Sequence, residues 1–256
     1  MKIRYAWIAP LSLLAAATVQ PARAETTGAF DPTAAALAEI AQLRVAARDW
    51  PQWGGSSLRN NTPEGTSVPT NWNVKTGENI KWSMPLGSET YGNPVVANGK
   101  VYVGSNNGTG YLARYPGNVD LGVLLCFDCS SGKFLWQHRS EKLPTGRVHD
   151  WPNPGICSAP YVSRDRRWFV LDGENDGPFH DEPNENRDEA DVVWKLDMMN
   201  QLGVSQHNMC SCSVTAAGDL LFVNTCNGVD ESHITIPQTH APSFICVNKH
   251  TSEVIW

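Results

Sequence analysis

The chain has 256 residues, with 20 basic side chains against 26 acidic ones and a formal charge of −6 at neutral pH. An acidic balance of this kind argues against nucleic acid and anionic lipid as partners. Seven cysteines, ten tryptophans, 21 glycines and 17 prolines fit short strands and many turns better than long helices.

The first 24 residues read as a secretion signal. Lys2 and Arg4 precede an apolar run over 7–19, and Ala22-Arg23-Ala24 is a small-x-small cleavage site. The run is interrupted by Pro10 and falls short of the about 20 apolar residues needed to span a bilayer. The expected location is therefore periplasmic or secreted, with no transmembrane anchor in the mature chain. The remaining 232 residues carry 17 basic and 26 acidic side chains, a charge of −9. Residues 25–48 form a helix or linker: Asp31 can cap, Pro32 suits the first turn, and 33–48 is rich in Ala, Leu and Glu.

From residue 49 to 256 the texture is that of repeated short strands. Asp49-Trp50-Pro51-Gln52-Trp53-Gly54-Gly55 opens a loop-rich region, and Ile80-Lys81-Trp82 reads as an isolated closing strand. A first full unit begins Asn93-Pro94-Val95-Val96, turns at Asn98-Gly99 and returns as Val101-Tyr102-Val103-Gly104; Asn-Gly between apolar runs is a strong hairpin signal. Its second half is Leu124-Leu125-Cys126-Phe127-Asp128-Cys129-Ser130-Ser131-Gly132-Lys133-Phe134-Leu135-Trp136. That phrase returns as Phe244-Ile245-Cys246-Val247-Asn248 through Val254-Ile255-Trp256, with Asp128 falling on Asn248 and Trp136 on Trp256. A weaker copy is Val193-Trp194-Lys195-Leu196-Asp197. A second unit runs through Tyr161-Val162, Trp168-Phe169-Val170-Leu171 and that weaker copy. A third runs through Val214-Thr215, a turn at Gly218-Asp219, Leu220-Leu221-Phe222-Val223 and the closing phrase. Gly99 and Gly218 lie 119 positions apart, so each unit has about 60 residues and about four strands, the signature of propeller blades. The expected fold is all-β: a β-propeller of four-stranded blades, with about four blades of a ring of about seven or eight.

In such a ring the segment before each innermost strand lies at a central funnel, where ligands bind. Aligning Pro94, Pro160 and Ser213 makes Tyr91, Cys157 and Cys210 equivalent, and Ser88, Pro154 and His207 likewise. The funnel candidates are Glu89, Tyr91, His149, Asp150, Trp151, His207 and Asn208, and Cys157 is expected to approach Cys210. The acidic stretch 172–191 holds nine carboxylates. Asp172, Glu174 and Asp176 alternate as calcium ligands do, although Pro183 stands where a calcium loop of the helix–loop–helix kind needs a bidentate carboxylate.

The opening Asp49-Trp50-Pro51-Gln52-Trp53-Gly54-Gly55 and the phrase from Leu125 to Trp136 resemble the quinoprotein-dehydrogenase-like propeller group, built from pyrroloquinoline quinone (PQQ)-like repeats. The stretches 172–179, 193–202 and 227–233 resemble an exported bacterial branch of that group. The likeness covers residues 49–256 and implies the propeller fold. It implies one of two activities: a scaffold that holds a protein or small-molecule ligand, or a PQQ-dependent dehydrogenase oxidising an alcohol or sugar, with PQQ and calcium as cofactors. The enzymes of the group carry adjacent cysteines beside the quinone. Here the nearest pattern is Cys210-Ser211-Cys212.

Overall fold

The computed structural model describes residues 48–63, 68–142, 153–163, 168–169, 186–190, 192, 194–207, 211–230 and 232–256. The chain divides into two compact units between Asp31 and Pro32, and every described residue belongs to the second. The expected secretion signal over 1–24, and the helix or linker expected over 25–48 apart from Arg48, lie outside the described residues.

The described part is all-β, built of antiparallel sheets with very little helix. The first sheet is a four-stranded meander in the order β1-β2-β3-β4: β1 (Val95–Ala97), β2 (Lys100–Asn106), β3 (Leu121–Asp128) and β4 (Phe134–Glu141). Asn98 and Gly99 form the two-residue turn between β1 and β2, with φ of 54° and 71°, so Ala97 pairs with Lys100 as the Asn-Gly signal requires. The period of two divides the core. Val95, Tyr102, Leu124 and Cys126 face one side and pack with Ile156 and Ala159 of the segment leading to the second sheet and with Val162 of its first strand. Val103, Val123, Leu125 and Phe127 face the other side and pack with Met84 and Leu86.

The second sheet pairs β5 (Tyr161–Val162) with β6 (Trp168–Phe169). The third has the order β7-β8-β9: β7 (Thr215–Ala217), β8 (Leu220–Asn224) and β9 (Phe244–Asn248). A fourth strand begins beside β9, where Cys246 N donates to Trp256 O at 2.9 Å and Ile255 N donates to Cys246 O at 2.8 Å.

The first and third sheets repeat each other bond for bond at an offset of 120. Asp128 N donates to Lys133 O, and Asn248 N to Glu253 O; Cys129 N donates to Gly99 O, and Lys249 N to Asp219 O. The side-chain oxygen of Asp128 accepts from the Ser130 and Ser131 amides, and that of Asn248 accepts from the His250 and Thr251 amides. These are side-chain-to-backbone turns, a use for which Asp and Asn are equally suited.

A tryptophan locks each of these turns to the segment before it. Trp82 Nε1 donates to Cys129 O at 3.0 Å, and Trp194 Nε1 donates to Lys249 O, 120 positions on, at 2.9 Å. Trp82, Met84 and Leu86 point inward at alternate positions, as do Trp194, Leu196 and Met198. The weaker copy is thus corrected in its alignment. Trp194 has the place of Trp82, and Asp197 caps a short helix, α1 (Met198–Leu202), instead of a strand turn. Among the described residues neither 80–82 nor 194–197 is part of a ladder. Trp136 and Trp256 do sit alike, their rings 5.8 Å from Tyr102 and 6.4 Å from Phe222.

The opening motif ties the three sheets together. The free edge of β1 is capped by Trp50, which exchanges both backbone bonds with Val96 at 2.6 and 2.9 Å. Val162 N, on β5, donates to Pro51 O at 2.8 Å. On β7, Ala216 N donates to Gln52 Oε1 and Ala216 O accepts from Ser57 Oγ. Arg59 Nη2 donates to Ser213 O at 2.7 Å while its guanidinium lies 5.0 Å from the Trp53 ring. Unpaired edges are where sheets aggregate, and ten residues here satisfy three of them. Gly55 allows it: its φ is +82°, and a Cβ there would lie 2.9 Å from the Trp50 ring.

Candidate functional site

The segments leading into β1 and β5 run side by side. A buried amide holds them. Asn106, at the end of β2, donates from Nδ2 to Ser88 Oγ at 2.8 Å and to Asn153 O at 2.7 Å, and accepts on Oδ1 from the amides of Ser88 and Gly108. Its neighbour Asn107 donates to the carbonyls of Tyr115, Pro116 and Val119 and so fixes the β2–β3 connection. Both asparagines are buried, and satisfied buried amides of this kind make a rigid floor. Ile156 N adds a bond to Ser105 O.

On this floor stand Glu89, Tyr91, Asn153 and Cys157. Asn153 Nδ2 donates to Glu89 Oε1 at 3.3 Å, linking the approach to β1 with the approach to β5. Tyr91 is 43% exposed. Desolvation raises its phenol above the ordinary value, and the nearby Glu89 and Cys157 push it the same way. Cys157 is buried, its Sγ donating to Gly155 O at 3.2 Å. The group presents a carboxylate acceptor, a phenol and an amide, two of them on exposed residues, a set that can hydrogen-bond a polar ligand.

Of the candidates named from sequence, Glu89 and Tyr91 are brought together. His207 is placed on the approach to β7, with its ring 4.6 Å from that of His233 in an edge-to-face arrangement. His149, Asp150, Trp151 and Asn208 lie outside the described residues, as do Asp172, Glu174, Asp176 and Cys210. The sheet register also corrects the alignment of the third unit by one residue. Val96 and Ala216 are the middle residues of β1 and β7, so Tyr91 and Cys157 correspond to Ser211, not to Cys210. Sequence reasoning misses Asn106 and Asn153. The polar run Ser105-Asn106-Asn107 at the end of an apolar strand is the signal that points to the first of them.

Two of the nine carboxylates of the acidic stretch are described, and both are engaged by arginine. Arg114 Nη2 lies 2.7 Å from Asp188 and 3.0 Å from Glu189, Arg139 Nε lies 3.4 Å from Glu189, and Tyr115 Oη donates to Glu189 at 3.1 Å. The Arg114 bond holds the Asp188 carboxyl below the usual carboxylate range. The same segment pairs with β4, through Gln137 N to Asp188 O and Ala190 N to Gln137 O.

Among the described residues no group of three or more His, Cys, Asp or Glu side chains is placed to hold a metal ion. Glu89 and Asn153 together bring one carboxylate and one amide, whereas calcium takes six to eight oxygens. The cysteines at 126, 129, 157, 210, 212, 226 and 246 include no adjacent pair. The described residues therefore do not by themselves fit a calcium–quinone site. Among them, no helix is long and apolar enough to cross a membrane. No protein-family model matches the chain, and no curated protein matches it either.

Proposed function

We propose that the chain is part of an exported β-propeller of PQQ-like repeats that holds a small-molecule or protein ligand without transforming it. The repeat at an offset of 120 supports the propeller reading, together with the segment that caps the first strand of each of the three described sheets. In a ring those first strands line the axis. The observation that carries the binding reading is the bridge from Glu89 to Asn153, beside the exposed Tyr91 and over the Asn106 floor. A few convergent polar groups are what fixes the orientation of a small ligand.

The test is a thermal-shift panel of sugars, alcohols, amino acids and short peptides on the folded chain, repeated with PQQ plus calcium. A ligand that raises Tm in the native chain should lose its effect in Glu89→Ala and Tyr91→Ala. Those variants should keep the Tm of the unliganded protein within about 3 °C, because both side chains are at least partly exposed. The dehydrogenase reading has one supporting observation, a carboxylate beside an asparagine amide at the expected funnel. Dye reduction by alcohols or sugars in the presence of PQQ and calcium would establish it and displace the scaffold reading.

A further inference from the structure

The two strands that flank the turn at Gly218 are tied at both ends of a short gap. Thr215 pairs with Phe222 inside the third sheet, and further out Gln206 pairs with Asn227. Between these two pairings lie two half-buried cysteines, Cys212 before β7 and Cys226 after β8. Carried three residues past Thr215, the register sets Cys212 opposite Thr225, next to Cys226 in the chain. Both sulfurs sit on the backbone of one residue: Asn224 N donates to Cys212 Sγ at 3.3 Å, and Cys226 Sγ donates to Asn224 O at 3.9 Å. In a flat strand Cys226 would point away from Cys212, because successive side chains take opposite faces. Its φ of 58° turns it instead, a left-handed conformation that is uncommon for a cysteine. Both side chains pack against the same apolar cluster, around Val214 and Val223. At the matching places, 120 positions earlier, the first sheet has Gly92 and Asn106, and Asn106 keeps an extended φ of −89°. Of these two sheets only the third brings two sulfurs together.

We infer that Cys212 and Cys226 are an oxidisable pair that closes to a disulfide, stapling the approach to β7 to the start of the β8–β9 connection. Strands in register stand about 4.8 Å apart, inside the about 7 Å between Cα atoms that a disulfide spans. The structure carries both residues as thiols, so closure takes a two-electron oxidant, here a disulfide of the glutathione class. Cys226 loses its proton and its sulfur attacks one sulfur of the oxidant, releasing one thiolate and leaving a mixed disulfide. Cys212 then loses its proton and attacks Cys226 Sγ, releasing the second thiolate. One S–S bond is broken and one is formed; two electrons pass to the oxidant, which leaves as two thiols carrying the two protons. Cys212 suits the second step. Burial pushes its thiol above the ordinary value despite the Asn224 amide, and the neighbouring Cys226 adds to the rise. Such a thiol reacts slowly with outside partners and quickly only with a sulfur held beside it. The bond encloses the β7–β8 hairpin and fixes the first residues of the connection. Asn227 ties the next residue along, accepting from Ser205 N and donating to Gln238 O.

The test reduces the full chain completely, oxidises it with glutathione disulfide in excess, and maps its peptides without reducing agent. The expected result is a peptide pair joined through Cys212 and Cys226, with a Tm about 5–10 °C above that of the reduced chain, since a bond closing a hairpin of this size restrains the unfolded state. Cys212→Ser should leave Cys226 holding glutathione as a stable mixed disulfide and should lose the rise in Tm. Cys226→Ser should lose the link as well. In reduced form both variants should keep the Tm of the reduced native chain within about 3 °C. Mapping of the native chain decides alone, so a variant that fails to fold leaves the answer standing. A native chain in which both residues take up glutathione and stay unlinked overturns the pair, as does a bond from Cys226 to any other cysteine, or both thiols unmodified after oxidation. A link formed with no rise in Tm overturns the staple.

Discussion

Trp82 lies against Gly132 so closely that a Cβ on the glycine would stand 2.7 Å from the indole. The glycine also has a φ of +75°. Two independent constraints therefore fix one residue. Its counterpart in the third sheet is Ser252, at a φ of 63°, where a side chain is carried in the left-handed region at a cost. Gly132→Ala should destabilise by about 2–3 kcal/mol, the sum of left-handed strain and overpacking against Trp82. Ser252→Gly should stabilise by about 0.5–1 kcal/mol. Chemical denaturation of the two variants checks both, and equal effects of one sign would contradict the equivalence of the two turns.

The turn bearing Asp128 gives a pH dependence. Its carboxylate accepts first from Ser130 Oγ and next from the hydroxyl and amide of Ser131, and is held below the usual carboxylate range. A depressed native value contributes stability that is complete above the unfolded carboxylate range and is lost as pH falls through the native value. Asp128→Asn, which copies Asn248, should keep the backbone turn and flatten the acid limb of the Tm–pH curve. Asp128→Ala should lower Tm at neutral pH as well, because the Ser130 and Ser131 amides lose their acceptor.

Local signals make the first sheet legible in the amino-acid sequence. Asn98-Gly99 specifies its turn, and the period of two from Leu121 to Asp128 specifies which of the two buried faces each side chain takes. The one-residue misalignment of the third unit has a simple cause. Gly99 is the second residue of its turn and Gly218 the first, so matching glycine to glycine gives 119 where the backbone gives 120. The weaker copy is misaligned for a similar reason. Matching Asp197 to Asp128 follows a shared letter, whereas the signal with physical content is a tryptophan followed by apolar residues at alternate positions, present in Trp82-Ser83-Met84-Pro85-Leu86 and in Trp194-Lys195-Leu196-Asp197-Met198. The capping by residues 50–59 is not legible. Its partners, Val96, Val162 and Ala216, are joined to it only by the folded arrangement of sheets. Glu89 and Tyr91 can be found because they precede an identifiable strand. Asn153 escapes because its role depends on Asn106, 47 residues away.

Arg59 is the tie between the capping segment and the third sheet. Its bond to Ser213 O and its stacking on Trp53 use the planar guanidinium in two ways at once. Arg59→Ala should cost about 2 kcal/mol, mostly from the lost charged bond to a backbone carbonyl. Arg59→Lys should recover little of it, since an ammonium offers no planar fork to stack. Hydrogen exchange should rise first over residues 215–217, with the first sheet unaffected. A uniform rise across all sheets would mean that Arg59 serves global stability and not this one junction.

His138 lies on β4, paired across the ladder with Leu124 of β3. Burial pushes its imidazole down to about 4, with the charges of Lys195 and Arg139 acting in the same direction. The native state therefore keeps this histidine neutral, while the unfolded chain protonates it near pH 6.5. Stability from this source is complete above pH 6.5 and falls as the pH drops toward 4, because the unfolded state then binds the extra proton. Between pH 7.5 and 4.5 the loss should amount to about 2–3 kcal/mol. His138→Leu replaces the imidazole with an apolar side chain that does not titrate and should shed that part of the pH dependence. Urea denaturation at the two pH values measures it directly. The variant should lose about 2 kcal/mol less stability than the native chain over this interval, and an unchanged difference would show that His138 is solvated and titrates normally.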